Sequence, residues 1–206
     1  MTDPADLKGV ARLYEDSLRK HGTVAKGVGW RDDSSHRLRF DKLVEVIQPS
    51  GESVTVNDLG CGYGAFYKYL NERGYKLTLF HGYDVSEDML AEARQRIQSH
   101  NVKFVLGSRL EQAADYSFAS GIFNVRLTAT DNDWLKHILT TLDNMHEKSQ
   151  CGFAFNLLTA YVDWRDDKLF YGDPAFFFDH CKRRYSKYVS LLHDYPLWEW
   201  TILVRK

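Results

Sequence analysis

Few residues of this chain can cross-link it or grip a metal. Its 206 residues include three cysteines, Cys61, Cys151 and Cys181, an odd set with no pairing spacing. Such sparse usage excludes a disulfide framework and fits free thiols in a reducing compartment. The eight histidines show no H-x-x-x-H or Cys/His ligand pattern, so no metal site is expected. No apolar run approaches the roughly 18 residues of a membrane span, and the N-terminus has no apolar leader. Charge of one sign is also missing: 27 Lys and Arg against 28 Asp and Glu leave a formal net charge of −1. The densest basic cluster, Lys182-Arg183-Arg184, is short. That argues against DNA or RNA as the main substrate, since nucleic-acid binding usually leaves a basic footprint. A cytoplasmic protein without membrane contact is the expectation.

What is present is a glycine turn with acids on either side of it. Val54-Thr-Val-Asn-Asp-Leu-Gly-Cys-Gly-Tyr-Gly64 reads as a short apolar strand that ends at the carboxylate Asp58 and runs into glycines at alternate positions. Such glycines let the backbone turn tightly and approach a ligand closely. The helix expected from about Ala65 to Arg73 aims its unpaired N–H groups at that ligand. Asp58 would repel a pyrophosphate and attract a cation. A second strand, Lys76-Leu-Thr-Leu-Phe-His-Gly-Tyr-Asp84, also ends in an acid. The Gly64 to Asp84 interval fits the roughly 20-residue spacing at which an acid meets a ribose diol in a βαβ nucleoside site.

The pattern along the rest of the chain is equally regular. Leu7, Val10, Ala11, Tyr14 and Leu18 form a helical stripe, and a second helix is expected from Ser34 to Ile47 with Ser34 or Ser35 as its cap. Three glycines lie in the connection that ends at Trp30. Strands are expected at 53–58, 76–83, 102–106, 117–123, 151–158, 187–193 and 198–204, and helices at 65–73, 86–99, 131–147 and 173–183. Alternating βα units imply a doubly wound, Rossmann-like, mostly parallel seven-stranded sheet. Only Asp194 to Leu197 separate the last two strands, too short a link for a parallel crossover, so the sheet should finish with an antiparallel hairpin. At this length one domain is expected, with residues 1–50 as a helical N-terminal segment or lid and 51–206 as an α/β core.

Asp58-Leu-Gly-Cys-Gly-Tyr-Gly64 followed by Tyr83-Asp84-Val85-Ser86 resembles the first two motifs of class I S-adenosylmethionine-dependent methyltransferases. The resemblance implies that S-adenosyl-L-methionine is the cofactor. It implies that the loop with Gly60, Cys61 and Gly62 lies against the methionine portion and that Asp84, beside Val85, holds the ribose. A ligand with an ammonium, a sulfonium and no phosphate agrees with the charge of Asp58, although Asp58 can equally serve its own loop as a structural acceptor. Gly60, Gly62 and Ala65 also satisfy a dinucleotide pattern. Against a nicotinamide or flavin cofactor stand Asp58 and the absence of length for a separate substrate domain.

Ligands of open α/β sheets bind beyond the carboxyl ends of the strands, which selects further candidates. After the third strand come Gly107, Ser108 and Arg109. Related enzymes often hold adenine with an acid here; Ser108 replaces it, leaving the backbone of Arg109 and Leu110 for that contact, or Ser108 as a plain cap. Beyond the expected fourth strand lie Asn124, bordering the methionine portion or the acceptor, and Arg126, a clamp for an anionic acceptor or an ordinary surface arginine. By resemblance to small methyltransferases with helical lids, Tyr14 or Trp30 covers the sulfonium and Arg39 meets the cofactor carboxylate; core packing is the alternative for each. Tyr161 and Asp163, in an aromatic-rich insertion, are candidate walls of an acceptor pocket. Asp163, His193 and Asp194 are possible bases among which nothing selects, so no catalytic residue is assigned. The expected reaction is methyl transfer to a small molecule. A protein or RNA methyltransferase, or a non-catalytic S-adenosylmethionine-binding module, are the alternatives.

Overall fold

A computed structural model describes residue 5 and residues 7–24, 32–49 and 51–206. Two helices come first, α1 (Leu7–His21) and α2 (Asp33–Leu43), the second running into a 3-10 turn at Val44–Val46. Then follow β1 (Val54–Leu59), α3 (Ala65–Glu72), β2 (Leu77–Asp84), α4 (Glu87–Arg96), β3 (Val102–Leu106), β4 (Ala114–Ala119), α5 (Asp131–Lys148), β5 (Ser149–Leu158), α6 (Pro174–Arg184), β6 (Tyr188–Leu192) and β7 (Glu199–Arg205). The seven strands order as β3-β2-β1-β4-β5-β7-β6. The first five are mutually parallel, whereas β7 runs antiparallel to both β5 and β6. The expected terminal hairpin is therefore present.

Local chemistry sets the helix starts. The Ser86 hydroxyl accepts from Met89 N–H, and Glu87 and Asp88 occupy the first turn of α4 while Arg94 and Arg96 occupy its last, complementing the helix dipole. Asp173 caps α6 just before Pro174, whose missing N–H has no partner to lose there. The start of α2 differs from the sequence reading. Asp32 is its cap, accepting from Ser35 N–H at 2.8 Å, so Ser34 and Ser35 lie inside the helix.

Strand alternation splits the core in two. Phe153, Phe155 and Leu157 of β5 and Trp200, Ile202 and Val204 of β7 pack with Trp134, Ile138 and Leu142 of α5 and Phe177 of α6. Their neighbours Ala154 and Leu203 face the opposite way, joining Phe40 and Leu43 of α2 and Phe66 and Leu70 of α3.

The fourth strand ends at Ala119, four residues before its expected limit at 123. Gly121 takes a φ of 74°, and its N–H leaves the ladder to donate to the Asn156 side chain at 2.7 Å. Phe123 is fully buried, but as a core residue beyond the turn, packed edge-on against Phe155. Its apolar character mimicked a strand that the turn had already closed.

One buried polar chain crosses this core. Arg39 of α2 donates through Nε to both Glu199 carboxylate oxygens, each at 2.9 Å, and through Nη1 to Ser35 O at 2.9 Å. Asn156 Nδ2 donates to Glu199 at 2.8 Å, while Asn156 Oδ1 receives Gly121 N–H. Removing one partner of a buried ion pair leaves the other charge uncompensated. Glu199→Ala is therefore expected to lower unfolding free energy by about 3–5 kcal/mol in urea titrations, and Arg39→Met combined with Glu199→Leu to lose clearly less.

Candidate functional site

Beyond the carboxyl ends of β1, β2, β3 and β4 lies a cavity closed on its other sides by Leu7, Val10 and Tyr14 of α1 and His36 and Phe40 of α2. Its floor is the glycine turn. Gly60, Gly62 and Gly64 all have positive φ, at 77°, 52° and 83°. A Cβ on Gly60 would sit 2.1 Å from Ile122 Cγ2, so the loop after β1 and the loop after β4 approach as closely as they do only because Gly60 has no side chain.

The turn is held by the end of β2. Gly60 and Cys61 N–H groups both donate to Tyr83 O, at 2.7 and 3.0 Å. Gly62 N–H donates to Asp84 Oδ2 at 2.8 Å, and Ser86 N–H donates to Asp84 Oδ1 at 2.9 Å. A carboxylate has about four acceptor directions, so with the Gly62, Ser86 and Val85 N–H groups around it Asp84 keeps about one for a further donor. Burial lifts the Asp84 carboxyl above the ordinary range, against the opposing pull of the Ser86, Gly62 and Val85 N–H groups.

Asp58 is the second acid of the cavity and the more deeply placed. It is 2% exposed, and its buried Oδ2 has no hydrogen-bond partner among the described residues. Burial, with the nearby Asp84 charge adding, pushes its carboxyl up to about 8. An unsatisfied carboxylate oxygen on a cavity wall is what a ligand ammonium needs. Tyr14 stands near the other acid: burial and then Asp84 push its hydroxyl up to about 12. His36 is driven the other way, to about 4, by burial and the Arg39 guanidinium, and so faces the cavity as a neutral ring.

Of the residues singled out from sequence, Tyr14, Asp58, Gly60, Cys61, Gly62, Asp84, Val85 and Ser108 converge on this one cavity. Others stand elsewhere. Arg39 is taken up by Glu199. Arg109 is exposed and outside the lining. The backbone of Leu110, expected at adenine, is engaged by Asn144, which receives its N–H at 2.8 Å and donates to its carbonyl at 3.1 Å. Asn124 accepts from Leu158 N–H at 3.2 Å and clasps the chain after β4 to the end of β5. Arg126 donates to Ala129 O at 2.6 Å and pairs with Asp131 at 3.1 Å, bracing the start of α5. Both Asn124 and Arg126 were placed by the overlong fourth strand, and the early turn at Gly121 displaces them. Tyr161 and Asp163 lie on the surface, outside the lining. Trp30 lies outside the described residues.

The lining also includes residues that the sequence did not disclose: His36, Phe40, Ser120, Ile122, His137 and Thr141. His36 with Phe40, and His137 with Thr141, are four apart and share a helix face, a pattern open to reading once the helices are known to flank a site. Ser120 would have stood out had Gly121 been read as the strand's end. No group of three or more His, Cys, Asp or Glu able to hold a metal occurs among the described residues.

The comparisons with known proteins agree with this geometry. The Methyltransferase domain family pattern matches residues 56–148. A Mycobacterium tuberculosis protein named "Putative methyltransferase Rv1506c" is 52% identical over 164 residues, 78% of this chain and 98% of that protein. The chain belongs to the class I S-adenosylmethionine-dependent methyltransferases. Its fold is shared by magnesium protoporphyrin IX methyltransferase from Synechocystis with bound S-adenosylmethionine, at a TM-score of 0.70, 14% identity, and coverage of 98% and 97% of the two chains. A Leishmania major S-adenosylmethionine-dependent methyltransferase superposes at 0.67 with 17% identity, covering 100% of this chain and 87% of its own. In this methyltransferase the cofactor is S-adenosylmethionine, and the free Asp58 oxygen, the spare acceptor direction of Asp84 and the bare glycine turn suit it.

The high affinity of Asp58 for a proton has a stability consequence. Its carboxyl titrates near 8 when folded and near 3.9 when unfolded, so between those values the native state holds a proton that the unfolded chain has released. This contribution is complete below about pH 4 and is lost as pH rises through 8. Urea midpoints of the ligand-free protein are expected to fall from pH 5 to pH 8, with a slope approaching ~1.4 kcal/mol per pH unit from this group, and Asp58→Asn is expected to remove that component.

Proposed function

We propose that this methyltransferase acts on a small-molecule acceptor. The observation that carries the reading is the pairing of four exposed arginines with acids. Arg19 pairs with Asp88 at 3.0 Å, Arg37 with Glu72 at 2.8 Å, Arg94 with Glu87 at 2.6 Å and Arg184 with Asp143 at 2.6 Å. A nucleic-acid backbone requires a track of unopposed positive charge, and arginines already paired with carboxylates do not supply one.

In this reading the 206 residues work as one domain, with α1 and α2 as the lid of the α/β core. Asp84 receives a ribose hydroxyl and Asp58 the methionine ammonium. Gly60 and Gly62, with Cys61 between them, let the backbone close on the methionine portion. Tyr14, Val85 and Ser108 border the nucleoside. When bound, S-adenosylmethionine supplies an electrophilic methyl on a sulfonium, with a neutral thioether as its leaving group. The chain's own contribution is alignment and exclusion of water. Leu7, Val10, Phe40, Met89 and Ile122 make the apolar wall, and His36 presents an uncharged ring to the same space.

Two measurements test this. Asp84→Ala is expected to weaken S-adenosylmethionine binding by roughly 10–100-fold in isothermal titration, the worth of hydrogen bonds to a charged group. With methyl-labelled cofactor and cell extract, label is expected in low-mass products that survive protease and ribonuclease. Label confined to protease-sensitive or ribonuclease-sensitive material would overturn the small-molecule reading. Binding at pH 7 is also expected to release a proton as Asp58 ionises beside the ammonium, seen as a dependence of binding heat on buffer ionisation enthalpy that Asp58→Asn abolishes.

A further inference from the structure

Past the cavity, the same edge of the sheet carries large aromatic side chains that folding leaves in water. Tyr161, Trp164 and Trp198 are 65%, 73% and 70% exposed. Tyr161 and Trp164 lie on the segment leaving β5 and Trp198 on the segment entering β7, and exposed aromatic surface of this kind marks a place that meets something else. The Tyr161 ring stacks on His193, with centroids 5.9 Å apart and planes 23° from parallel. Thr159 N–H donates to Trp198 O at 3.0 Å, and Tyr161 N–H donates to Thr159 Oγ1 at 3.2 Å, so the chain leaving β5 and the chain entering β7 are tied together.

Topology places this cluster beside the cavity. Leu158 pairs with Glu199, so both segments emerge at the carboxyl edge of the parallel strands. β5 neighbours β4, whose following residues Ser120, Gly121 and Ile122 line the cavity. Two strand spacings of ~4.8 Å separate β4 from β7, putting the aromatic cluster about 10 Å along the edge from that wall.

The charge around the rings narrows the ligand. Asp163 and Asp194 are exposed and hold no side-chain partner among the described residues. Arg165 is turned to its own loop, donating to Ala160 O at 3.1 Å and lying 5.5 Å from the Tyr171 ring centroid. A phosphate-bearing or carboxylate-bearing acceptor would meet repulsion here. A saccharide has both complements: apolar C–H faces for the rings and hydroxyl donors for the carboxylates.

We propose that Tyr161, Trp164, His193 and Trp198, with Asp163 and Asp194, form a platform for the sugar portion of an uncharged glycoside, and that this glycoside is the methyl acceptor. The inference rests on the small-molecule reading and gives that acceptor a chemical class. The separation of platform and cavity calls for an acceptor longer than one ring.

Saturation-transfer NMR on the full chain with S-adenosylhomocysteine tests it, using the methyl glycosides of maltose, cellobiose and mannobiose as probes. Transfer to sugar ring protons is expected, with affinity at least ten-fold weaker in Trp198→Ala and Trp164→Ala and S-adenosylhomocysteine affinity unchanged. Both tryptophans are exposed, so both variants are expected to keep the parent circular dichroism. Silence from all three glycosides while S-adenosylhomocysteine still binds would overturn the platform and leave the methyltransferase reading standing. So would binding of catechol in their place, retention on phosphatidylcholine vesicles through the tryptophans, or a dimer in sedimentation that Trp198→Ala dissolves. Methyl transfer to a low-mass product without a sugar would also overturn the platform while supporting the small-molecule reading.

Discussion

The site depends on one carboxylate bonded in two directions. Asp84 takes the Gly62 N–H on one oxygen and the Ser86 N–H on the other. It thereby joins the turn after β1, the end of β2 and the start of α4. Three elements with little contact in sequence meet at a single group. Gly62 is held by Asp84 and Gly60 and Cys61 by Tyr83 O, so bonds within the chain fix the turn in its left-handed glycine geometry. Preorganisation of this kind lowers the entropic cost of binding.

Two acids share the cavity with very different satisfaction. Asp84 is surrounded by backbone donors, whereas Asp58 has an oxygen that nothing in the described chain reaches. In an apolar surround the difference is large, because an unpaired buried charge has neither water nor partner. Asp58 therefore favours its protonated form. On the proposed assignment a cation beside Asp58 would draw off that proton and gain an ion pair, whereas a phosphate ester would gain no partner there.

The opposite wall of the cavity is organised by a different chain of bonds. Arg39, Glu199, Asn156 and Gly121 link the helix that brings His36 and Phe40 to the cavity with the loop that brings Ser120 and Ile122. Helix α2 and the wall after β4 are therefore bonded into one unit. The arginine that seemed suited to grip the cofactor carboxylate is instead part of this brace.

Periodicity and turn chemistry sufficed for most of the fold. Alternating apolar residues, the Ser86 cap and the short 194–197 link account for the element order, the two-faced core and the terminal hairpin. The convergence of Gly60, Gly62 and Asp84 on one cavity was legible for a related reason: the turn and the N–H groups it aims at Asp84 are backbone geometry, and backbone geometry leaves a local trace in glycine spacing. Phe123 shows where such reading stops, since a buried aromatic after a turn looks like one more strand residue. That slip moved attention to Asn124 and Arg126 and away from Ser120 and Ile122. The sequence by itself determined the strand–turn–helix units, the antiparallel finish and the glycine turn flanked by two acids at the first two strand tips. Only the tertiary structure decided that Arg39 belongs to Glu199, which lies 160 positions away, that His36 and His137 face the cavity, and that Tyr161 and Trp198 share a surface. Those outcomes depend on which distant elements pack together, and no local pattern encodes a partner that far along the chain.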